Sequence, residues 1–127
     1  MNLNVLIVDD SKTVRSVITK TLRVAGLPIG DLYEAEHGKQ ALEVLAEHAI
    51  DLMFTDINMP EMGGLELIDK LRESGRMASL AVVVVSTEGS VKRIREVMEK
   101  GVAAYVRKPF SPEQVRQVVE DVTRSVG

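Results

Sequence analysis

The chain has 127 residues, enough for one domain with a sizeable core. Its 45% hydrophobic and 28% charged content is that of an ordinary globular protein, and 16 basic against 19 acidic residues leave a formal charge of −3, which offers little to nucleic acid or an anionic membrane. Cysteine is absent, which excludes disulfides and thiolate metal sites; Met1 to Asp10 forms no positively charged leader, and no apolar run approaches the roughly 20 residues of a membrane span.

Val5-Leu6-Ile7-Val8 is a continuous, β-branched apolar run, the pattern of a strand buried on both faces of a parallel sheet. It ends in Asp9-Asp10-Ser11. A helical stripe follows, with Val14, Val17, Ile18 and Leu22 on one face, stopped by Gly26 and Pro28. Leu32 to Ala35 is a short second strand, and Gly38 precedes a helix with Ala41, Leu42 and Leu45 on one face. His37 and His48 flank this helix in polar surroundings, read as surface residues, and are too few for a histidine metal cluster. Asp51 to Thr55 is the third strand; it delivers Asp56 to a loop closed by Pro60 and Gly63-Gly64, after which Leu67, Ile68 and Leu71 mark a third helix. Leu80 to Val85, with four successive valines, predicts a central buried strand. In the fourth helix Val91, Ile94 and Met98 are expected inward and Lys92, Arg93, Arg95 and Glu96 outward, with Gly101 at its end. Val102 to Val106 is the fifth strand. The last helix opens on Ser111, Pro112 and Gln114, a capping box with a proline in the first turn, and buries Val115, Val118, Val119 and Val122. Strands alternating with helices over residues 1–127 imply one α/β domain with a doubly wound, five-stranded parallel sheet and five helices.

In such a sheet all strand C-termini share one edge, where ligands bind. The first strand ends in Asp9 and Asp10, the third in Asp56, the fourth in Ser86 and Thr87, and the fifth near Lys108. Taken singly, each has an ordinary reading: Asp9 or Asp10 as a helix cap, Asp56 as a turn former, Ser86 as a loop serine, Lys108 as a surface lysine. Together, three carboxylates at one rim repel and call for a cation. All-oxygen ligands point to a hard ion, Mg²⁺ or Ca²⁺; the chain lacks the Asp-x-Asp-x-Asp-Gly loop of an EF-hand, and Mg²⁺ suits a phosphoryl site in which a lysine supplies a point charge.

Asp9-Asp10, Asp56-Ile57-Asn58-Met59-Pro60 with Gly63-Gly64, Ser86-Thr87 and Tyr105-Val106-Arg107-Lys108-Pro109-Phe110 together resemble the receiver domain of two-component response regulators, and within it the single-domain, CheY-like chemotaxis members. The resemblance spans the whole chain and implies the flavodoxin-like strand order 2-1-3-4-5. It implies Asp56 as phosphoacceptor, Asp10 as a direct Mg²⁺ ligand, Asp9 as a ligand through water, and the Asn58 carbonyl as a further ligand beside Asp56. It also implies Ser86 as the hydroxyl that moves onto the phosphoryl group, Lys108 as its cationic partner with a cis Lys108-Pro109 peptide, Tyr105 as an aromatic switch, and Asn58 and Glu88 as residues that tune a phosphoryl lifetime of seconds to minutes. The implied partners are a histidine kinase as donor and an output protein such as a flagellar motor switch, in a cytoplasmic, monomeric protein that catalyses only its own phosphorylation and dephosphorylation. The output face would be the fourth helix, fifth strand and fifth helix, with Ile94, Tyr105, Phe110, Arg93, Arg95 and Arg107. Two departures stand out. Ser86 lacks the methyl of the family's common threonine, which loosens switching, and Thr87 is bulkier than the usual small residue, which narrows access.

Three other readings remain in view. The chain could be a receiver excised from a longer regulator with a separate output domain. A phosphatase with an aspartyl-phosphate nucleophile needs a second aspartate where this chain has Asn58. A flavodoxin-like nucleotide binder needs an anion-friendly first loop, yet Asp9-Asp10-Ser11-Lys12-Thr13 has no glycine and begins with acids.

Overall fold

The computed structural model describes residues 2–126, and side chains through residue 123; Met1 and Gly127, the ends of the expected 1–127 domain, lie outside the described residues. Five strands, β1 (Leu3–Val8), β2 (Ile29–Ala35), β3 (Leu52–Thr55), β4 (Ala81–Ser86) and β5 (Ala104–Arg107), alternate with five helices, α1 (Lys12–Val24), α2 (Gly38–Glu47), α3 (Gly64–Glu73), α4 (Val91–Glu99) and α5 (Pro112–Val126). A short 3-10 turn, Arg76–Ala78, precedes β4. All pairings are parallel and the strand order is β2-β1-β3-β4-β5, as the resemblance implies. Among the described residues no helix is long and apolar enough to cross a membrane.

The sheet separates two cores. Leu6, Val8, Met53, Val82 and Val84 point to one face and pack with Ala41 and Leu45 of α2, Leu67, Ile68 and Leu71 of α3, and Val97 of α4. Val5, Ile7, Leu52, Phe54, Val83, Val85 and Val106 point to the other and meet Ile18 and Leu22 of α1 and Val115, Val119 and Val122 of α5. This is why the central strands read as continuous apolar runs: alternate residues face different helix layers, and both layers are apolar.

Several boundaries differ from the sequence reading. β2 begins three residues earlier, because its first residues lie at the sheet edge, where burial does not mark them. Asp51 precedes β3 and stays exposed; its carboxylate accepts from Asn4 N at 2.9 Å and its N–H donates to the Asn4 carbonyl at 2.9 Å, a polar staple at the edge opposite the acids. Leu80 is buried just before β4, while Ser86 is the strand's last residue.

Two helix faces are rotated from the expected ones. In α1 the inward residues are Arg15, Ile18, Thr21 and Leu22, and Val17 is 49% exposed. Arg15 turns the helix this way: its Nε donates to Glu34 Oε1 at 2.9 Å and its Nη1 to the Asp9 carbonyl at 2.7 Å. In α4, Val91 is 72% and Met98 40% exposed, and Val97 is the buried residue, with Ile94 half-buried. The helix runs beside the edge strand β5, so only a narrow strip of it reaches the core. Arg93 is likewise half-buried, and its guanidinium stands 3.6 Å from Glu96. His37 is also less exposed than expected, since its Nδ1 accepts from Gln40 N at 3.3 Å and caps α2.

The rotated face of α1 is testable by substitution. Ile18→Ala should lower the unfolding free energy by about 2–5 kcal/mol, whereas Val17→Ala should stay within about 0.5 kcal/mol of wild type in urea denaturation. Equal losses at the two positions would contradict the observed face.

Candidate functional site

The C-terminal ends of β1, β3 and β5 meet at one ammonium group. Lys108 Nζ donates to Asp9 Oδ2 at 3.2 Å and to Asp56 Oδ2 at 3.1 Å. β5 and the peptide after it aim this side chain: Lys108 N donates to the Ser86 carbonyl at 2.8 Å, and Lys108-Pro109 is cis. The other carboxylate oxygens are also engaged. Asp9 Oδ1 accepts from Ser11 N at 2.9 Å, and Asp56 Oδ1 from Ile57 N at 2.7 Å.

Neither Asp9 nor Asp10 caps α1. Ser11 does so, through its Oγ on Val14 N at 3.3 Å, which leaves both acids to the rim. Asp9 is 2% exposed, Asp56 half-buried and Asp10 exposed. The Asp56 loop is closed tightly: Gly64 N donates to the Ile57 carbonyl at 2.8 Å, and any side chain at Gly64 would collide with the Asp56 carbonyl.

Beside this trio Ser86 is 1% exposed, and its Oγ accepts from Glu88 N at 3.2 Å. Tyr105, two residues along β5 from Arg107, is half-buried, and its hydroxyl donates to the Glu88 carbonyl at 2.7 Å. The β4–α4 loop is thus tied to β4 through Ser86 and to β5 through Tyr105. Thr87 and Asn58 are exposed at the rim. Arg107 is exposed, with its guanidinium folded over Gly89, so a side chain at Gly89 would displace it.

A model of the response regulator receiver domain matches residues 5–120. The chain belongs to that family. The chemotaxis protein CheY homolog of Campylobacter jejuni is 38% identical over 121 residues, covering 94% of this chain and 92% of its own length. The chemotaxis protein CheY1 of Helicobacter pylori is also 38% identical, over 94% of this chain and 96% of its own. The high-resolution structure of chemotaxis response regulator CheY4 of Vibrio cholerae superposes with a TM-score of 0.83 at 29% identity, over 96% of this chain and 99% of that one.

In this receiver domain Asp9, Asp56 and Lys108 meet at one point, while Ser86 ends the neighbouring strand β4, accepts from Lys108 N through its carbonyl and is linked through the loop to Glu88 and Tyr105. Asp10 and Asn58 border the point from the exposed side. The three acids do not stand as one unpaired cluster: Lys108 supplies a counter-charge to two of them. Among the described residues no three carboxylate, histidine or cysteine side chains are already gathered as a ligand set. The donor chemistry of the acids still fits a hard cation, because Asp9, Asp10, Asp56 and the Asn58 carbonyl all offer oxygen and the His37 Nδ1 is engaged in capping α2.

Sequence reasoning missed Arg15, which is 8% exposed and whose guanidinium reaches the backbone of Asp9. The available signal was its spacing from Ile18 and Leu22, an arginine at an inward helical position.

Burial alone would lower the Lys108 pKa, but the hydrogen bond and charge of Asp56, followed by the charge and hydrogen bond of Asp9, more than offset it and raise the value above 10.5. Burial raises the Tyr105 pKa above 10.0; a hydrogen bond with Ser86 opposes this, and the charges of Glu88 and Asp56 add to it. Both groups hold their proton more tightly in the folded state. Their contribution to stability is therefore complete below the unfolded values and is lost as pH rises through the folded ones. The melting temperature should therefore fall as pH rises into the alkaline range above about 10. Lys108→Met should be less stable at neutral pH, because it breaks two ion pairs, but should lose less over that alkaline range. An alkaline loss identical to wild type would contradict the ion-pair assignment.

Proposed function

We propose that this receiver domain is a phosphorylation-activated signalling switch that takes a phosphoryl group from a histidine kinase onto Asp56. The observation that supports this reading most directly is the convergence of Asp9 and Asp56 on Lys108 Nζ at the C-terminal edge of the sheet, where Ser86 is buried at the end of the neighbouring strand β4.

In the proposed step an Asp56 carboxylate oxygen attacks the phosphorus of a phosphohistidine. An O–P bond forms, the N–P bond breaks, and the electron pair returns to the imidazole nitrogen. The repulsion between carboxylate and phosphoryl group is the main obstacle, and Lys108 reduces it as a positive charge already held at Asp56 Oδ2. Ile57 N–H on Oδ1 fixes the carboxylate plane, so attack needs little reorganisation. Asp9, Asp10, Asp56 and the Asn58 carbonyl would hold Mg²⁺, which when bound supplies further positive charge for the phosphoryl oxygens.

The new group adds negative charge and three acceptor oxygens where Lys108 now bridges two carboxylates. The Ser86 hydroxyl, released from Glu88 N, could then donate to a phosphoryl oxygen. Because Glu88 is also the anchor of Tyr105, the same movement resets the loop that positions the Tyr105 ring. Phosphorylation would shift a two-state equilibrium by these differential contacts. The face of α4, β5 and α5 would pass the change to an output protein. The similarity to proteins named for chemotaxis supports a chemotactic pathway, with a flagellar motor component as output. The protein would act in the cytoplasm and turn over no substrate beyond its own phosphoryl group.

Incubation with acetyl phosphate and Mg²⁺ should add one phosphoryl mass to the wild type and none to Asp56→Asn. Lys108→Ala should slow the reaction on the order of a hundredfold, as loss of one charge-stabilising donor does. Chelation of Mg²⁺ should suppress it in all forms. Modification of Asp56→Asn at the wild-type rate would sink the assignment.

A further inference from the structure

Arg15 is the most deeply buried cation among the residues described, yet no part of the proposed phosphoryl transfer uses it. Its contacts explain where its charge goes. The guanidinium fork spans two elements, with Nε on Glu34 of β2 and Nη1 on the carbonyl of Asp9 at the end of β1. With that contact, all the polar atoms of Asp9 are engaged. Its N–H donates to the Ala35 carbonyl at 3.0 Å, its Oδ1 accepts from Ser11 N, its Oδ2 from Lys108, and its carbonyl from Arg15.

The carbonyl contact matters because the peptide is planar. Holding the Asp9 oxygen also sets the Asp10 nitrogen and the direction of the Asp10 Cα. Asp10 has an exposed side chain and would otherwise hang from a loop end. We propose that Arg15 is a positioning residue: it clamps the Asp9–Asp10 peptide so that both acids present their carboxylates to the divalent cation in fixed geometry. This rests on the Mg²⁺ reading given above and extends it to a residue that touches no ligand.

The alternative role for Arg15 is as a buried charge that stabilises the fold, and it predicts the opposite sign. A guanidinium behind the acids repels a cation at long range, so removing its charge would tighten Mg²⁺ binding. Loss of a clamp loosens binding instead, and groups that orient metal ligands from behind are typically worth about 10–100-fold in affinity.

Mg²⁺ titration of the unphosphorylated protein, followed by amide NMR shifts, separates the two. Arg15→Met, which keeps the apolar stem, should weaken Mg²⁺ about tenfold or more. Arg15→Lys keeps the charge but has no fork to hold Glu34 and the Asp9 carbonyl together, and should be weakened at least about threefold. Glu34→Gln keeps an acceptor for Nε and should stay within about threefold of wild type. Unchanged or tighter binding by Arg15→Met overturns the clamp; if that variant does not fold, wild-type affinity in Arg15→Lys overturns it equally. A wild type that does not respond to Mg²⁺ overturns the metal reading beneath it, and is told apart because it needs no Arg15 variant.

Discussion

Lys108 sits between two carboxylates that would otherwise repel each other. Asp9 is almost wholly buried and Asp56 partly so, at the ends of adjacent strands β1 and β3, where like charges would repel in poorly solvated surroundings. The ammonium offsets that repulsion, at 3.2 and 3.1 Å. Its own desolvation is offset in turn by both acids, which is why its proton is held more tightly than in water. The three groups come from three strands, so the arrangement exists only once β1, β3 and β5 are in register. A charge added to Asp56 must compete for this same lysine, which makes the trio a sensitive point in the proposed switch.

What surrounds the trio is built to hold still on one side and to give on the other. On the α1 side Asp9 is fixed through its backbone and its carboxylate, with Arg15 tying the end of β1 to Glu34 of β2. On the α4 side, the β4–α4 loop depends on two hydrogen bonds to Glu88, one from its N–H to Ser86 and one onto its carbonyl from Tyr105. The helix beyond it has Val97 as its buried residue and leaves Val91 and Met98 in solvent. Few buried apolar contacts mean a low cost of local rearrangement. A change at Ser86 therefore has an easier path toward α4 than toward α1.

Much of this was legible in the chain. Continuous apolar runs such as Val82 to Val85 signal strands covered on both faces, and their strict alternation with helices signals a parallel sheet whose polar strand ends share an edge. Asp9, Asp56, Ser86 and Lys108 can be named on that basis, and their placement along one sheet edge, with Asp9, Asp56 and Lys108 in contact, follows from the topology. Strand order came from family resemblance, since local patterning carries no information on which strands are neighbours. The faces of α1 and α4 were misjudged because periodicity identifies an apolar stripe but not how far a neighbouring element covers it. The inward place goes to Arg15 rather than Val17, because its guanidinium bonds to Glu34 on β2 and to the end of β1.

The amino-acid sequence by itself determined the element types, the two-sided burial of the central strands and the residue kinds at the sheet edge, because these depend on local propensity and hydrophobic period. Only the tertiary structure decided which of the acids are paired. Lys108 reaches Asp9 and Asp56 while Asp10 stays exposed, and Arg15 is drawn inward to the Asp9 carbonyl. Such choices rest on distances of about 3 Å between groups on different elements, where hydrogen bonds and charge pairs form or fail. Spacing in the sequence can place Arg15 on the inward face of α1, but it does not say which groups these side chains meet.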